Sequence, residues 1–310
     1  MANVTKNHPA RQNSSSKKSN GVKRKKQKKD QTNDIVSRLW KEALPAMKTE
    51  FFNHQEKASP SLFKSQVLDT IKKRHAFLNA ASRYGTPLYL LDEPALRANA
   101  QAFANALKQA FPQGNALYAF KSNDLPYLIH CLKEEGYGAD VASEPELRLA
   151  LALGFTRIIY TAPVKSTDAL TLAITHQSKV ILNIDNIEEL ERVLALKRKH
   201  YKENPLRISL RLALFANNSK WQKFGLALPQ AIQAIKSIEA AKTCALVGFH
   251  FHKSWNYTSD EHCDAIKRLG TFLKNKVSPQ IKKNLLYVDF GGGFLPPINL
   301  IPWQASTQAQ

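Results

Sequence analysis

The chain has 310 residues, 43% of them hydrophobic, which suits one large domain or two small ones with a sizeable buried core. Its net charge of +20 is unevenly spread, because residues 1 to 30 hold ten Lys or Arg against a single acid, Asp30. No apolar run reaches the roughly 18 residues of a membrane span, and no apolar segment near the start resembles a secretory signal. Cys131, Cys244 and Cys263 are odd in number and far apart, which excludes a disulfide scaffold and a structural zinc site and fits a soluble protein of the reducing cytoplasm.

Residues 1–33 read as a disordered basic tail, since Asn13 to Ser16 and Lys23 to Lys29 offer too little apolar surface to offset the entropy of ordering. Such a tail is most simply a solvated extension; anionic lipid, another acidic surface and a localisation role stay open. It has no aromatics between its basic residues, which weighs against nucleic acid as a partner. Residues 34–83 form a helical extension: Ile35, Leu39, Leu44 and Met47 outline a short amphipathic stretch, and Leu62 to Arg83 a longer helix. Tyr84-Gly85-Thr86-Pro87 then turns the chain into an expected strand at Leu88 to Leu91. A helix follows from Asp92 or Glu93 to about Ala110, with Pro94 in its first turn.

From there, strand-like runs alternate with helical ones. Strands are expected near 117–120, 138–141, 158–161, 180–184, 206–212, 246–250 and 285–289. Helices are expected over Leu125 to Glu135, Glu144 to Leu153, Ser166 to His176, Ile187 to His200, Pro229 to Ala241 and Ser259 to Asn275. Seven strands, each followed by a helix except the last, imply an α/β fold with a parallel sheet covered by helices, either a doubly wound sheet or a barrel. Residues 295–310, with three prolines and a polar end, read as an irregular tail, so a (β/α)8-type TIM barrel would be incomplete, with about seven strands.

Chemistry concentrates at the strand ends, the edge where parallel barrels work. Lys121 closes the run Leu117-Tyr118-Ala119-Phe120, and period-two alternation sets it on the face of Ala119, opposite Tyr118 and Phe120. Alone, it would read as a surface lysine. His250 and His252 share a face, with Phe249 and Phe251 opposite. A metal would need His262 or Cys263 as well, and no third ligand has a convincing spacing, so no metal is expected. Arg211 ends a strand and suits either a forked contact with a phenolate or carboxylate or a structural ion pair. Asp140 ends another, and Ser143 with Glu146 forms a capping box for the helix that follows. Gly291-Gly292-Gly293 opens a loop with no side chains between a phosphate and the backbone N–H groups. A reactive lysine and a phosphate cradle together point to pyridoxal phosphate.

Seven segments in order resemble the barrel-type (fold III) pyridoxal-phosphate-dependent decarboxylases, most nearly the diaminopimelate decarboxylases, with the ornithine and arginine enzymes related. They are YGTPLYLLDEPALRAN from Tyr84, YAFKSN from Tyr118, GADVASEPEL from Gly138, LRLA from Leu210, KFGL from Lys223, GFHFH from Gly248 and VDFGGGF from Val288, so the cofactor-binding barrel domain would span 84–294. The resemblance implies that Lys121 carries the cofactor as a Schiff base, His252 stacks on its ring, Gly291, Gly292 and Gly293 hold its phosphate, and Asp140, Arg211 and Ser254 line the site. It implies an amino-acid substrate whose α-carboxylate leaves as CO2, meso-diaminopimelate giving lysine. It also implies a homodimer or a complementary carboxyl-terminal chain. Three departures stand out. Where the family has His-x-His-Ile-Gly-Ser, this chain has His250-Phe251-His252-Lys253-Ser254-Trp255. The family's acid on the pyridine nitrogen, with its arginine on the phosphate, has no counterpart, and neither has the carboxyl-terminal β-domain. A non-catalytic, cofactor-binding or regulatory relative, or an inactive truncated fragment, is therefore the alternative.

Overall fold

The computed structural model describes residues 68–200, 204–215, 223–254 and 259–294. The basic segment 1–33, residues 34–67 of the extension and the tail 295–310 lie outside them. Residues 89–295 belong to one compact unit, and the described residues before it belong to a second, which contributes helix α1 (Arg74–Tyr84).

In the larger unit, strands β1 (Leu117–Ala119), β2 (Gly138–Val141), β3 (Ile158–Thr161), β4 (Val180–Ile184), β5 (Leu206–Arg211), β6 (Cys244–His250) and β7 (Tyr287–Asp289) form one sheet. All neighbours are parallel, and their order in space is their order in the chain, β1 through β7. Helix α2 (Glu93–Ala110) precedes the sheet; α3 (Pro126–Glu134), α4 (Glu144–Ala152), α5 (Thr167–Thr175), α6 (Ile187–His200), α7 (Leu228–Ala241), α8 (Asp260–Lys276) and the short α9 (Pro279–Asn284) are its crossovers. This is the strand–helix alternation of a TIM barrel carried through seven strands. Every expected strand and helix of this unit is present but one, and α9 alone was not foreseen.

The exception is Leu88–Leu91, which forms no strand; Tyr89, Leu90 and Leu91 are exposed. Apolar β-prone residues make a strand only where a pleated, half-buried surface receives them, and among the described residues none covers this segment. Caps fix several helix starts. Asp92, Ser143, Ser166 and Ser278 each accept a hydrogen bond from a backbone N–H three residues on, and a proline occupies the first turn of α2, α4 and α9. The Ser143–Glu146 box closes with a variation, in that Glu146 reaches back to the N–H of Ala142, 2.8 Å away.

The two faces of the sheet differ sharply. One buries Ala139, Val141, Ile158, Tyr160, Leu182, Ile184, Leu206, Ile208, Leu210, Phe249 and Phe251 against the helices. The other is polar: the register sets Thr161, Asn183, Ser209, Gly248 and Tyr287 side by side across β3 to β7. Ser209 Oγ donates to Asn183 Oδ1 at 2.8 Å, and Asn183 Nδ2 donates to Thr161 Oγ1 at 3.2 Å. A parallel sheet is buried on both faces, so this polar face is covered only if the sheet curls upon itself. The curl is visible in two contacts. Phe290, just past β7, packs on Phe111, which precedes β1, with ring centroids 5.9 Å apart. Asp289 of β7 is close enough to Asp140 of β2 to repel its charge.

One irregularity in β6 matters for everything that follows. Between Ile208 and Ser209 the register jumps from Leu246 to Gly248, leaving Val247 as an extra residue. Because side chains alternate, that single residue turns Gly248 and His250 onto the polar face and Phe249 onto the apolar one. Gly248 then gives up its side-chain volume to Tyr287: a Cβ there would lie 2.6 Å from the phenol ring. Gly248→Ala is expected to lower stability by about 1–3 kcal/mol through this overpacking. Gly270→Ala, in α8 where an added Cβ meets nothing within 4 Å, should instead raise it by about 0.5–1 kcal/mol. Urea midpoints of the two variants against the parent check both signs.

Candidate active site

The side chains expected at the site lie at or just past the carboxyl ends of the strands, and their positions follow from where each strand stops. β1 stops at Ala119. The next three residues, Phe120–Ser122, make a single 3-10 turn, so the period-two placement of Lys121 on the face of Ala119 no longer applies. Phe120 is fully buried against Phe155, while Lys121 is exposed on the rim. From there its charge still reaches Asp140, His250 and His252.

Asp140 is the third residue of β2, opposite Ala119 in the register. Its Oδ1 is buried and makes no hydrogen bond. Burial, and then the negative charge of Asp289, push its carboxyl up to about 7. Asp289 ends β7; its Oδ1 accepts the N–H of Gly291 at 2.8 Å, and burial raises its proton affinity too.

His250 and His252 stack with their ring planes 9° apart and centroids 6.4 Å apart, as the shared-face reading requires. His250 is buried, its Nδ1 has no partner, and burial, with Arg211 next, holds its imidazole well below the usual range. His252 is tied at both nitrogens. Gly292 N–H donates to Nδ1 at 3.1 Å, so the ring proton sits on Nε2, which lies 3.1 Å from Ser254 Oγ and donates to it. Burial, then the charges of Lys121 and Arg211, bring its pKa to about 4, which leaves the ring neutral at neutral pH.

The triple glycine lies flat against this segment. Gly291 and Gly293 have φ of +66° and +79°, and a Cβ on them would meet Phe251 O and Ser254 Cα, each at 2.7 Å. Only glycine is tolerated there. At Gly292 an added Cβ would meet nothing within 4 Å, so the loop has an open side. Two of its three N–H groups, however, face inward to Asp289 and His252. These two acceptors hold the loop in shape.

Arg211, last in β5, resolves its two readings in favour of an ion pair. Its Nη1 donates to Asp185 Oδ1 at 2.9 Å, both side chains being more than nine-tenths buried, and its guanidinium lies over the Phe224 ring at 4.9 Å. Asp185 Oδ2 accepts the N–H of Gly225, which ties the Lys223–Leu226 segment to the strand end. Beside this pair, Lys165 Nζ donates to Glu189 Oε1, Ala162 O and Asn183 O, wholly shielded from solvent. Asp185, Glu189, Lys165 and Asp289 escape a reading of the sequence. An acid after β4 looks like turn chemistry, and the neighbouring Asn186 does cap α6. Asp289, two residues before the first glycine, was the more visible of the four.

The set suits a pyridoxal group: an exposed amine at a strand end, a neutral imidazole, a glycine strip without side chains, and two buried polar atoms, Asp140 Oδ1 and His250 Nδ1, lacking partners. A family model, that of the pyridoxal binding domain of the pyridoxal-dependent decarboxylases, matches residues 97–299. The chain belongs to this family. Pyridoxal phosphate is the cofactor that membership implies. The diaminopimelate decarboxylase of Actinosynnema pretiosum subsp. auranticum is 27% identical over 230 residues, covering 70% of this chain and 49% of that protein. Among solved structures, a diaminopimelate decarboxylase variant of Helicobacter pylori complexed with L-lysine matches with a TM-score of 0.62 at 25% identity, over 70% of this chain and 56% of that one. A lysine/ornithine decarboxylase of Vibrio vulnificus complexed with putrescine gives 0.59 at 25%, over 76% and 63%. The chain spans about half the length of the curated family members it matches. Among the described residues no helix is long and apolar enough to cross a membrane.

Two outcomes follow from this geometry. Asp185→Ala strands a buried guanidinium and should cost about 3–5 kcal/mol of stability, measured by urea unfolding. His252 has a folded pKa near 4, below its ordinary 6.5. It therefore supports the fold fully above 6.5, and the support is lost as pH falls toward 4. A urea-midpoint series in His252→Gln should fall less steeply over that window than in the parent.

Proposed function

We propose that residues 84–294 are the cofactor-binding domain of an amino-acid decarboxylase of the diaminopimelate/ornithine type, with segments 1–33, 34–83 and 295–310 outside it. The observation that carries this is the grouping at the strand ends of an exposed Lys121 whose charge reaches His252 and Asp140, a neutral His252 ring and an unpartnered Asp140 oxygen. In this reading Lys121 supplies the amine that captures the cofactor's aldehyde. His252 lies along the ring, the Gly291–Gly293 loop with Ser254 receives the phosphate, and Asp140 and Arg211 line the wall. Pyridoxal phosphate supplies an electron sink for the pair left behind when an α-carboxylate departs as CO2.

The remaining work falls to the chain's own residues. The two hydrogen bonds of His252 fix its ring plane, so a flat ligand meets a preset surface. Arg211, held by Asp185, keeps a positive charge in the wall that helps both histidines stay neutral. Lys121 reaches its ligand from a short turn outside the sheet, where it is free to change partners. The substrate class follows the matched proteins: an α-amino acid with a second charged group at its far end, as diaminopimelate and ornithine have. A second copy of the chain, or a complementary carboxyl-terminal chain, is the proposed partner. The cytoplasm is the proposed compartment.

His252-Lys253-Ser254 lacks the family's glycine, and this favours a second reading, a relative that binds the cofactor without releasing CO2. One experiment separates the possibilities. The purified chain is incubated with pyridoxal phosphate, reduced with borohydride and digested for peptide mapping, while CO2 is followed from carboxyl-labelled diaminopimelate. A pyridoxyl tag on Lys121 that vanishes in Lys121→Ala is the expected result. A tag without CO2, even with the complementary half supplied, would favour the binding-only reading. No tag, or one elsewhere, would end both.

A further inference from the structure

Two carboxyl groups at the strand ends have no chemical step in the proposed function. Asp140 neighbours Ala119, the last strand residue before the lysine's turn, and Asp289 neighbours His250 at the far edge of the sheet. The curl brings these two, from the second and the last strand, into one interior, where they repel each other. Their surroundings differ. Asp289 Oδ1 is satisfied by Gly291 N–H and feels the positive charge of Arg211, whereas Asp140 Oδ1 is buried without a hydrogen bond.

A largely shielded carboxyl with a second acid near enough to repel its charge holds its proton more tightly. The other groups facing Asp140 are Lys121 from the turn after β1, Glu146 from α4, the Thr161 hydroxyl from β3 and the Tyr287 phenol from β7. Lys121 and Thr161 favour ionisation, and Glu146 opposes it. Burial and Asp289 outweigh Lys121 and Thr161, leaving the Asp140 carboxyl at about 7, close to the pH at which an acceptor and a donor are equally available.

We infer that Asp140, with Asp289 as its positioning partner, is the proton-exchange group for the Lys121 amine. One proton passes from the Lys121 ammonium to the Asp140 carboxylate, giving a neutral amine and a neutral carboxyl, and it returns when the amine is released. No electrons change hands. Once a ligand covers the rim and excludes water, this carboxyl is the acceptor on the protein side. The inference rests on the reading of Lys121 as the cofactor-bearing residue.

The test is the pH dependence of Lys121 labelling by pyridoxal phosphate and cyanoborohydride in the full chain, with peptide mapping, for the parent, Asp140→Asn and Asp289→Asn. A 13C titration of the aspartate carboxyls accompanies it, and circular dichroism confirms folding. In the parent, labelling should rise with an inflection near 7, matched by the Asp140 carboxyl signal. Asp289→Asn should move the inflection down by about one pH unit. Asp140→Asn should abolish it and slow labelling at pH 7 by about tenfold or more. A purely structural role would leave the profile in place, and identical profiles in all three proteins would overturn the inference alone. Should either variant misfold, the parent's titration decides: an Asp140 carboxyl in the ordinary range near 4 overturns it. A parent with no tag on Lys121 at any pH would overturn the cofactor reading, and this inference with it.

Discussion

A parallel sheet with one apolar and one polar face has a single way to keep both out of bulk water: it must curl until the polar face looks inward. Here the apolar face is covered by helices α3 to α9, and the polar face carries Thr161, Asn183, Ser209, Arg211, His250, Tyr287 and Asp289. Every feature of the candidate site is a consequence of that curl. Without it, Asp140 and Asp289 would stand at opposite sides of a flat sheet, and Lys121 would have no histidine within reach of its charge.

The polar interior is layered. The lower layer is a closed hydrogen-bonded row, Thr161–Asn183–Ser209, with the Tyr287 ring filling the space that Gly248 leaves. It is a floor. The upper layer combines satisfied and unsatisfied groups: Arg211 and Asp185 neutralise each other, as do Lys165 and Glu189, while Asp140 Oδ1 and His250 Nδ1 stay unpartnered. Buried polar atoms without partners are costly, so a fold retains them where a ligand repays the cost. The ion pairs hold the strand ends still, and the unpartnered atoms mark where something else belongs.

Much of this was legible in the residues. Period-two runs located the seven strands to within a few residues, and capping residues located the helix starts, because both signals are local. His250 and His252 could be set on one face since alternation resumes after the Val247 bulge and carries past the end of β6. Lys121 escaped the same rule because the strand ends two residues before it and a 3-10 turn intervenes. The strand at Leu88–Leu91 failed for the opposite reason: its residues suit a sheet, but the partner surface is a tertiary matter. Asp185 and Glu189 were invisible because an ion pair joins residues 26 or 24 apart whose charges look like ordinary turn and helix chemistry. The glycine run was recognised, yet the inward aim of two of its N–H groups depends on Asp289 and His252, which only the fold brings there.

The family's pyridoxal binding domain matches 97–299, and the curated relatives are about twice as long as the matched part. The site described here groups the Lys121 amine, the His252 ring, the glycine strip and two carboxyl groups at the strand ends. The central claim is that these groups receive one flat, phosphorylated aldehyde on the concave side of the sheet. Its most direct test is a crystal structure of the chain grown with pyridoxal phosphate. The account predicts the ring lying along His252, the phosphate at Gly291–Gly293 and continuous density from Lys121 Nζ to the ligand; a ligand bound elsewhere, with that lysine turned to bulk solvent, would contradict it.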